Sequence, residues 1–356
     1  MYLSLKEIWH EKLRYGLIIA MILLVTYLVF ILSALANGLA QQNTQAIESW
    51  DTSRVVLAKD SDINLSQSLL TSEQTKDLKL GKSQAYVGTI GAVATSSQHK
   101  EIRSTMIGLD WDQYIGKDMK LVSGHRVQND HQVVVDTQFK NEGYALGDKI
   151  RLSTKGDRYT IVGFTQNAKM SVAPVVYGTM TTWRTLHNLP TSFTASGIIS
   201  KTADFKINTS DLKTYSANTF IQKLPGYSAQ NSTFTFMIGF LFVISLIVIA
   251  VFLYILTMQK LPNYAVLRAQ GVPARTLVAT TIDQALILVS LGLVLGGALT
   301  AMTAMTAKFM PLGVPMIFSA GLSIAVILGI LLTGFLGAII PVRTILKVDP
   351  VTAIGG

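Results

Sequence analysis

Four long apolar windows dominate the pattern of this chain: about Leu17–Leu39, Phe234–Thr257, Gln284–Thr306 and Ala320–Ile340, none with an ionisable residue in its middle. At 1.5 Å rise per residue each reaches across a hydrocarbon layer of roughly 30 Å, which predicts four membrane-spanning helices. Residues 41–233, between the first two windows, have the polarity of an ordinary globular domain.

The second window leads into the stretch around which the rest is arranged, FTFMIGFLFVISLIVIAVFLYILTMQKLPNYAVLRAQGVPARTL. Its apolar run gives way to a polar segment bearing Lys260, Arg268 and Arg275, and Gly271 and Pro273 stand where a helix stop and a helix start belong. The pattern predicts a span ending near residue 258, a short surface helix at about Asn263–Gln270, and a third span rising after Pro273. The surface helix reads as a handle by which something in the cytoplasm moves the membrane part.

Residues 1–14, MYLSLKEIWHEKLR, set apolar against charged positions at helical spacing, as in a helix lying at the membrane interface with Trp9 at headgroup level. The first window carries Ala34-Leu-Ala36, which fits a signal-peptide cleavage pattern, but the apolar run is longer than such peptides use and reads as an uncleaved span. Beyond it, Gln41 to about Leu80 continue the first helix as a stalk and then enter the outer domain. Strand-like runs follow at Ala85–Ile90, Gln132–Val135, Lys149–Leu152, Arg158–Phe164 and Ala173–Tyr177, with Gly156-Asp157 closing a hairpin. Helical patterns at Thr181–Leu186 and Thr209–Leu224 complete an α+β domain. In the third window Gly292 and Gly296 allow close helix packing, within a small bundle or at a dimer interface.

The fold class expected is therefore a polytopic α-helical membrane protein: four transmembrane helices, with an α+β extracellular domain inserted between helices 1 and 2. The expected segments are an interfacial helix (1–15), spans at 16–40, 234–258, 282–306 and 319–341, and the extracellular domain with its stalk (41–233). A cytoplasmic coupling loop (259–281), a short extracellular loop (307–318) and a cytoplasmic tail (342–356) complete them.

Charge sets the orientation. The chain carries +9 at pH 7. Lys6, Lys12, Arg14, Lys260, Arg268, Arg275, Arg343 and Lys347 fall on one side of the four spans, against Lys308 alone in the short loop opposite. The positive-inside rule then puts both termini in the cytoplasm of a plasma membrane protein and the large domain outside. The net charge is in part a topology signal, with no need of nucleic acid as a partner. At 49% hydrophobic and 14% charged, with mean hydropathy +0.41, the composition is not that of a soluble protein. Cysteine is absent, which removes thiol chemistry.

The sequence lacks the usual catalytic signatures. Gly81-Lys82-Ser83 has Lys76 where a phosphate-binding loop needs its first glycine, and neither HExxH nor GxSxG occurs. No carboxylate sits at membrane depth, as an ion-coupled carrier would require, and Asp283 lies at the start of the third span. Energy must come from a separate partner.

The four-span layout, YAVLRAQGVPARTL after the second span, PVRTILKVDPVTAI near the end, and the domain segment LVSGHRVQNDHQVVVDTQFKNEGYALGDKI followed by DRYTIVGFT together resemble the FtsX/MacB-type (type VII) ABC transporter permeases. The compact outer domain and the ending KVDPVTAIGG resemble, within that family, haem-export permeases of the HrtB type. The resemblance implies a non-catalytic permease subunit that works as a homodimer, with two copies of a cytoplasmic ABC ATPase bound beneath. ATP is then used by the partner, no cofactor is permanently bound, and haem taken laterally at the membrane is a substrate. It also implies that Ala265, Leu267, Arg268, Gly271, Val272 and Arg275 couple to the ATPase. Haem iron accepts His, Met, Tyr or Cys ligands. His99, His125, His131 and His187 are scattered without spacing, so the substrate candidates lie at the membrane rim: Glu48, Tyr227, Phe234, Phe236 and Met237, with Tyr177 as a further phenolate candidate. Ordinary interfacial packing is the alternative for all of them, since aromatics are expected there in any case. A second function remains open, an FtsX-like mechanotransmitter that regulates an extracellular cell-wall hydrolase without transport.

Overall fold

The structure, a computed structural model, describes residues 12–153, 156–309 and 315–346. Most of the expected interfacial helix, part of the short loop and most of the tail lie outside the described residues. The chain divides into two compact units, residues 1–38 with 231–356, and residues 39–230.

Four helices in the described residues are long and apolar enough to cross a membrane. They belong to α1 (Lys12–Ser49), α7 (Tyr227–Ala269), α8 (Ala274–Phe309), and α9 (Ala320–Gly337) with α10 (Ile339–Leu346). The core of the helical unit joins Tyr15, Ile18 and Ile22 of α1 to Leu253 and Leu256 of α7, Leu288 and Val289 of α8, and Ile330 of α9. Small residues bring the backbones close. A Cβ on Gly292 would meet Ile22, and one on Gly296 would stand 2.8 Å from Thr26 Cβ. The glycine pair is thus used within the chain, to seat α8 on α1.

One expected element of this unit is corrected, the surface helix at about Asn263–Gln270. The second span does not stop before a separate surface helix, because α7 runs unbroken through Pro262 to Ala269. Proline removes a single helical hydrogen bond, and the burial of Tyr264 and Ala265 just beyond it holds the last turn in line. The candidate fourth span, Ala320–Leu346, carries a break in its helix at Ala338. The ring of Pro341 would crowd the carbonyl of Gly337, four residues earlier, and α9 ends there.

The other unit is built on an eleven-stranded sheet. In chain order its strands are β1 (Arg54–Ala58), β3 (Gln84–Ala94), β4 (Ile102–Leu109), β5 (Leu121–Gly124), β6 (Gln132–Asp136), β7 (Lys149–Arg151), β8 (Arg158–Thr165), β9 (Lys169–Met170), β10 (Ala173–Thr179), β12 (Gly197–Ser200) and β13 (Leu212–Ser216). A separate ribbon pairs β2 (Leu70–Thr71) with β11 (Phe193–Ala195). The long path runs β13-β1-β12-β3-β4-β10-β6-β8-β5, with β4–β10 and β6–β8 parallel. Both faces are covered, so the central strands are nearly continuous apolar runs. Val175 and Tyr177 of β10 join one core and Val176 joins the other.

Short helices complete this unit: α2 (Ser72–Thr75), α3 (Tyr114–Asp118), α4 (Thr137–Asn141), α5 (Met180–His187) and α6 (Ala217–Gln222). The largest fully buried side chain among the described residues is Trp183 of α5. Its indole lies over Gly88 and Gly108, where any Cβ would collide with it, and its Nε1 donates to Thr89 O at 3.1 Å. The helix expected over Thr209–Leu224 is corrected. Residues 212–216 form β13, paired residue for residue with β1, and only Ala217–Gln222 is helical, capped by Ser216 Oγ accepting from Thr219 N at 3.1 Å.

Candidate functional site

The turn between α7 and α8 is fixed by its own backbone. Gly271 N–H donates to Arg268 O and Val272 N–H donates to Leu267 O, both at 3.0 Å. This is the Schellman arrangement, which needs a left-handed residue after the helix, and Gly271 supplies it at φ +92°. Leu267 and Val272 are the apolar pair that accompanies such a turn, and they pack with Tyr264, Leu277 and Ile345. Ala265, expected to face a partner, is 1% exposed and belongs to the interior. Gly271 and Arg275 are exposed, and Arg268 is half-buried. Val266, 50% exposed on the same turn of helix, was not among the expected residues. Its apolar character looks like that of its neighbours in sequence, and only the helix phase sets it apart. Within the same unit Lys260 Nζ donates to Tyr15 OH at 3.0 Å.

The six substrate candidates divide between the units. On α7, Phe236 is 69% and Met237 43% exposed, with Phe234 half-buried. In the sheet unit, Glu48 is exposed and accepts from Thr44 Oγ1 at 2.6 Å, while Tyr227 rests half-buried against the core. Tyr177 is corrected as a phenolate ligand. It is buried, its hydroxyl accepts from Trp50 Nε1 at 3.2 Å, and burial pushes its pKa up, so the proton stays on.

The histidines do not converge. His99 pairs with Asp148 at 3.1 Å and stacks on Tyr144, whereas His125 bonds the Arg126 carbonyl at 2.8 Å. Among the described residues no group of three or more His, Asp or Glu could hold a metal ion.

Sequence reasoning missed a cleft of about 480 Å³ in the sheet unit, bordered by Trp50, Asp51, Tyr114, Asp118 and Lys201. Lys201 Nζ lies 2.6 Å from Asp118 Oδ2, 3.8 Å from Asp51 Oδ2 and 4.8 Å above the Tyr114 ring. Burial, reinforced by Asp51 and Asp118, pushes the Tyr114 hydroxyl up, and that hydroxyl has no hydrogen-bond partner. These residues come from segments far apart in the chain, and nothing local announces their meeting.

Residues 235–350 match the family model described as FtsX-like permease C-terminal. This part of the chain is an FtsX-like permease domain, carried on the apolar helices described above. Over its whole length the chain is similar to two staphylococcal proteins named for hemin transport, permease proteins HrtB. The relative from Staphylococcus haemolyticus is 25% identical over 358 residues, covering 100% of this chain and 99% of that one. One from Staphylococcus epidermidis is 24% identical over 357 residues, with the same coverage. An uncharacterized ABC transporter permease of Mycobacterium tuberculosis is 28% identical over 116 residues, covering 33% of this chain and 32% of its own. Among solved structures, the periplasmic region of MacB from Actinobacillus actinomycetemcomitans aligns at TM-score 0.35 and 11% identity, covering 48% of this chain and 91% of that one. The extracellular domain of the ABC-type transporter YknZ from Gram-positive bacteria aligns at TM-score 0.32 and 14% identity, covering 42% and 84%.

Proposed function

We propose that this chain is the permease subunit of an ABC transporter that exports haem, or a similar amphipathic toxic compound, from the membrane. The observation that carries the reading is the end-to-end similarity to proteins named for hemin transport, which spans the sheet unit as well as the permease domain. In this reading the sheet domain is extracellular, both termini are cytoplasmic, and two permease copies stand on two copies of a separate ATPase. The chain itself is non-catalytic.

The residues support such a division of labour. Spans without ionisable groups in their middle offer no ion relay, so the driving force has to arrive through the protein from outside the bilayer. The α7–α8 turn is a stiff point at which to receive it, because both of its terminal carbonyls are satisfied and its apolar pair is packed. The exposed Phe236 and Met237 offer an apolar surface and a thioether, which suit a flat, iron-bearing cargo.

Two experiments test the reading. A deletion strain should be hypersensitive to haem, and the purified protein should shift the visible absorbance of added haem, less so in Met237→Ala. No sensitivity and no spectral change would remove haem as cargo and favour the mechanotransmitter that controls a cell-wall hydrolase. Replacing Gly271 by valine forces a β-branched residue to positive φ, at a cost of about 1–2 kcal/mol. Coupled ATPase activity should be lost while membrane insertion is kept. Unchanged activity would count against the turn as the coupling point.

A further inference from the structure

The β7–β8 hairpin carries a charge pattern that packing does not explain. Lys149 and Arg151 flank the buried Ile150, so both stand on the exposed face of β7. Across the ladder Arg151 is directly opposite Arg158. Like charges so placed destabilise a sheet, and no ion pair relieves Lys149, Arg151 or Arg158 among the described residues. Asp148 lies next to them, but its Oδ2 is already taken, accepting from Ala145 N–H at 2.8 Å and meeting His99 Nε2 at 3.1 Å.

The same cations border a cleft of about 450 Å³ together with Thr95, Ser96, Ser97 and Asp148. That loop is held in place because Thr95 and Arg151 exchange two backbone hydrogen bonds of 2.9 Å. Two arginines, a lysine and three hydroxyl-bearing residues therefore line one space, against the single Asp148 carboxylate. What completes such a set is an anion with more acceptor oxygens than a carboxylate provides. Guanidinium forks match the oxygens of phosphate in pairs.

We propose that this cleft is a phosphate-binding site, taking a phosphomonoester or phosphodiester group from a soluble molecule or a lipid headgroup. The site belongs to the sheet unit alone and does not depend on what the permease exports.

The test uses the full chain in phosphatidylcholine nanodiscs, with the melting temperature of the sheet unit followed in two arms. Glycerol 3-phosphate is titrated in one, and phosphatidylglycerol is introduced into the discs in the other. A saturable rise in melting temperature in either arm, not reproduced by sodium chloride at matched ionic strength, supports the site and identifies the source. Arg158→Thr removes the opposed pair, so without phosphate the variant should melt no lower than the parent, while its phosphate affinity falls at least about tenfold. Arg158→Lys keeps the charge but not the fork and should fall between them. The proposal is overturned if neither arm gives a saturable response, or if Arg158→Thr responds as the parent does.

Discussion

In the sheet unit, β10 buries Val175 and Tyr177 on one side and Val176 on the other. In the helical unit, α7 buries Ile249 and Leu253 but leaves Phe240 at 66% and Ile247 at 56% exposure, while α8 leaves Val294 at 67%. Polar groups differ in the same sense. Trp183 reaches across to Thr89 in the sheet unit, whereas Thr281 and Thr300 on α8 return their hydroxyls to the carbonyls four residues back, at 3.1 and 2.8 Å. The first unit is closed against water, with a fixed interior. In the second, these threonines satisfy their hydroxyls within their own helix, and much apolar surface is turned outward, as lipid permits and water does not. One chain thus follows two rules of burial, and each rule has its own weak points.

The largest effect should come from Trp183→Ala, which empties the space over Gly88 and Gly108. A loss of about 3–5 kcal/mol is expected, read by denaturant unfolding of the full chain in detergent. The near-ultraviolet signal of the sheet unit should collapse while helical content persists, and joint loss of both would break the contrast.

Next is Gly296→Leu, which drives a side chain into Thr26 of α1. Overpacking of this kind costs about 1–3 kcal/mol and should loosen the helical unit, read as faster proteolysis within α1 or α8, with the sheet unit unaffected.

Alkali gives the smallest effect and should act on the sheet unit. Tyr86, Tyr114, Tyr144, Tyr159 and Tyr177 all have pKa values pushed above the usual 10.0, chiefly by burial. Their contribution is fully present below pH 10 and is lost as pH rises from there, because the unfolded phenols ionise first. Tyr177→Phe should flatten part of that decline. Equal slopes in both proteins would show that this hydroxyl does not contribute.

The spans were legible because charge-free windows of that length have few other uses, and Gly271 with Pro273 marked the turn at the correct place. The polar segment from Lys260 misled, since it read as a separate surface helix, whereas α7 continues through Pro262 with the next turn held by the burial of Tyr264 and Ala265. In the sheet unit the β7–β8 hairpin could be read from Gly156 and the flanking β-branched residues. Residues 212–216 could not, because their pairing with β1 joins residues far apart in sequence. Candidate sites suffered in the same way. Aromatic and coupling residues could be listed by type, but burial of Tyr177 and Ala265 removes two of them, and burial is a property of partners elsewhere in the chain.

The account turns most on the sheet unit lying outside the cell and the α7–α8 turn lying inside, where a motor can reach it. Because the chain has no cysteine, single substitutions report cleanly. Asn141→Cys and Gln270→Cys place a thiol at exposed positions in the sheet unit and at the turn, respectively. A membrane-impermeant maleimide added to intact cells should label the first and spare the second until the cells are opened. Labelling of Gln270→Cys in intact cells, or protection of Asn141→Cys, would contradict the account.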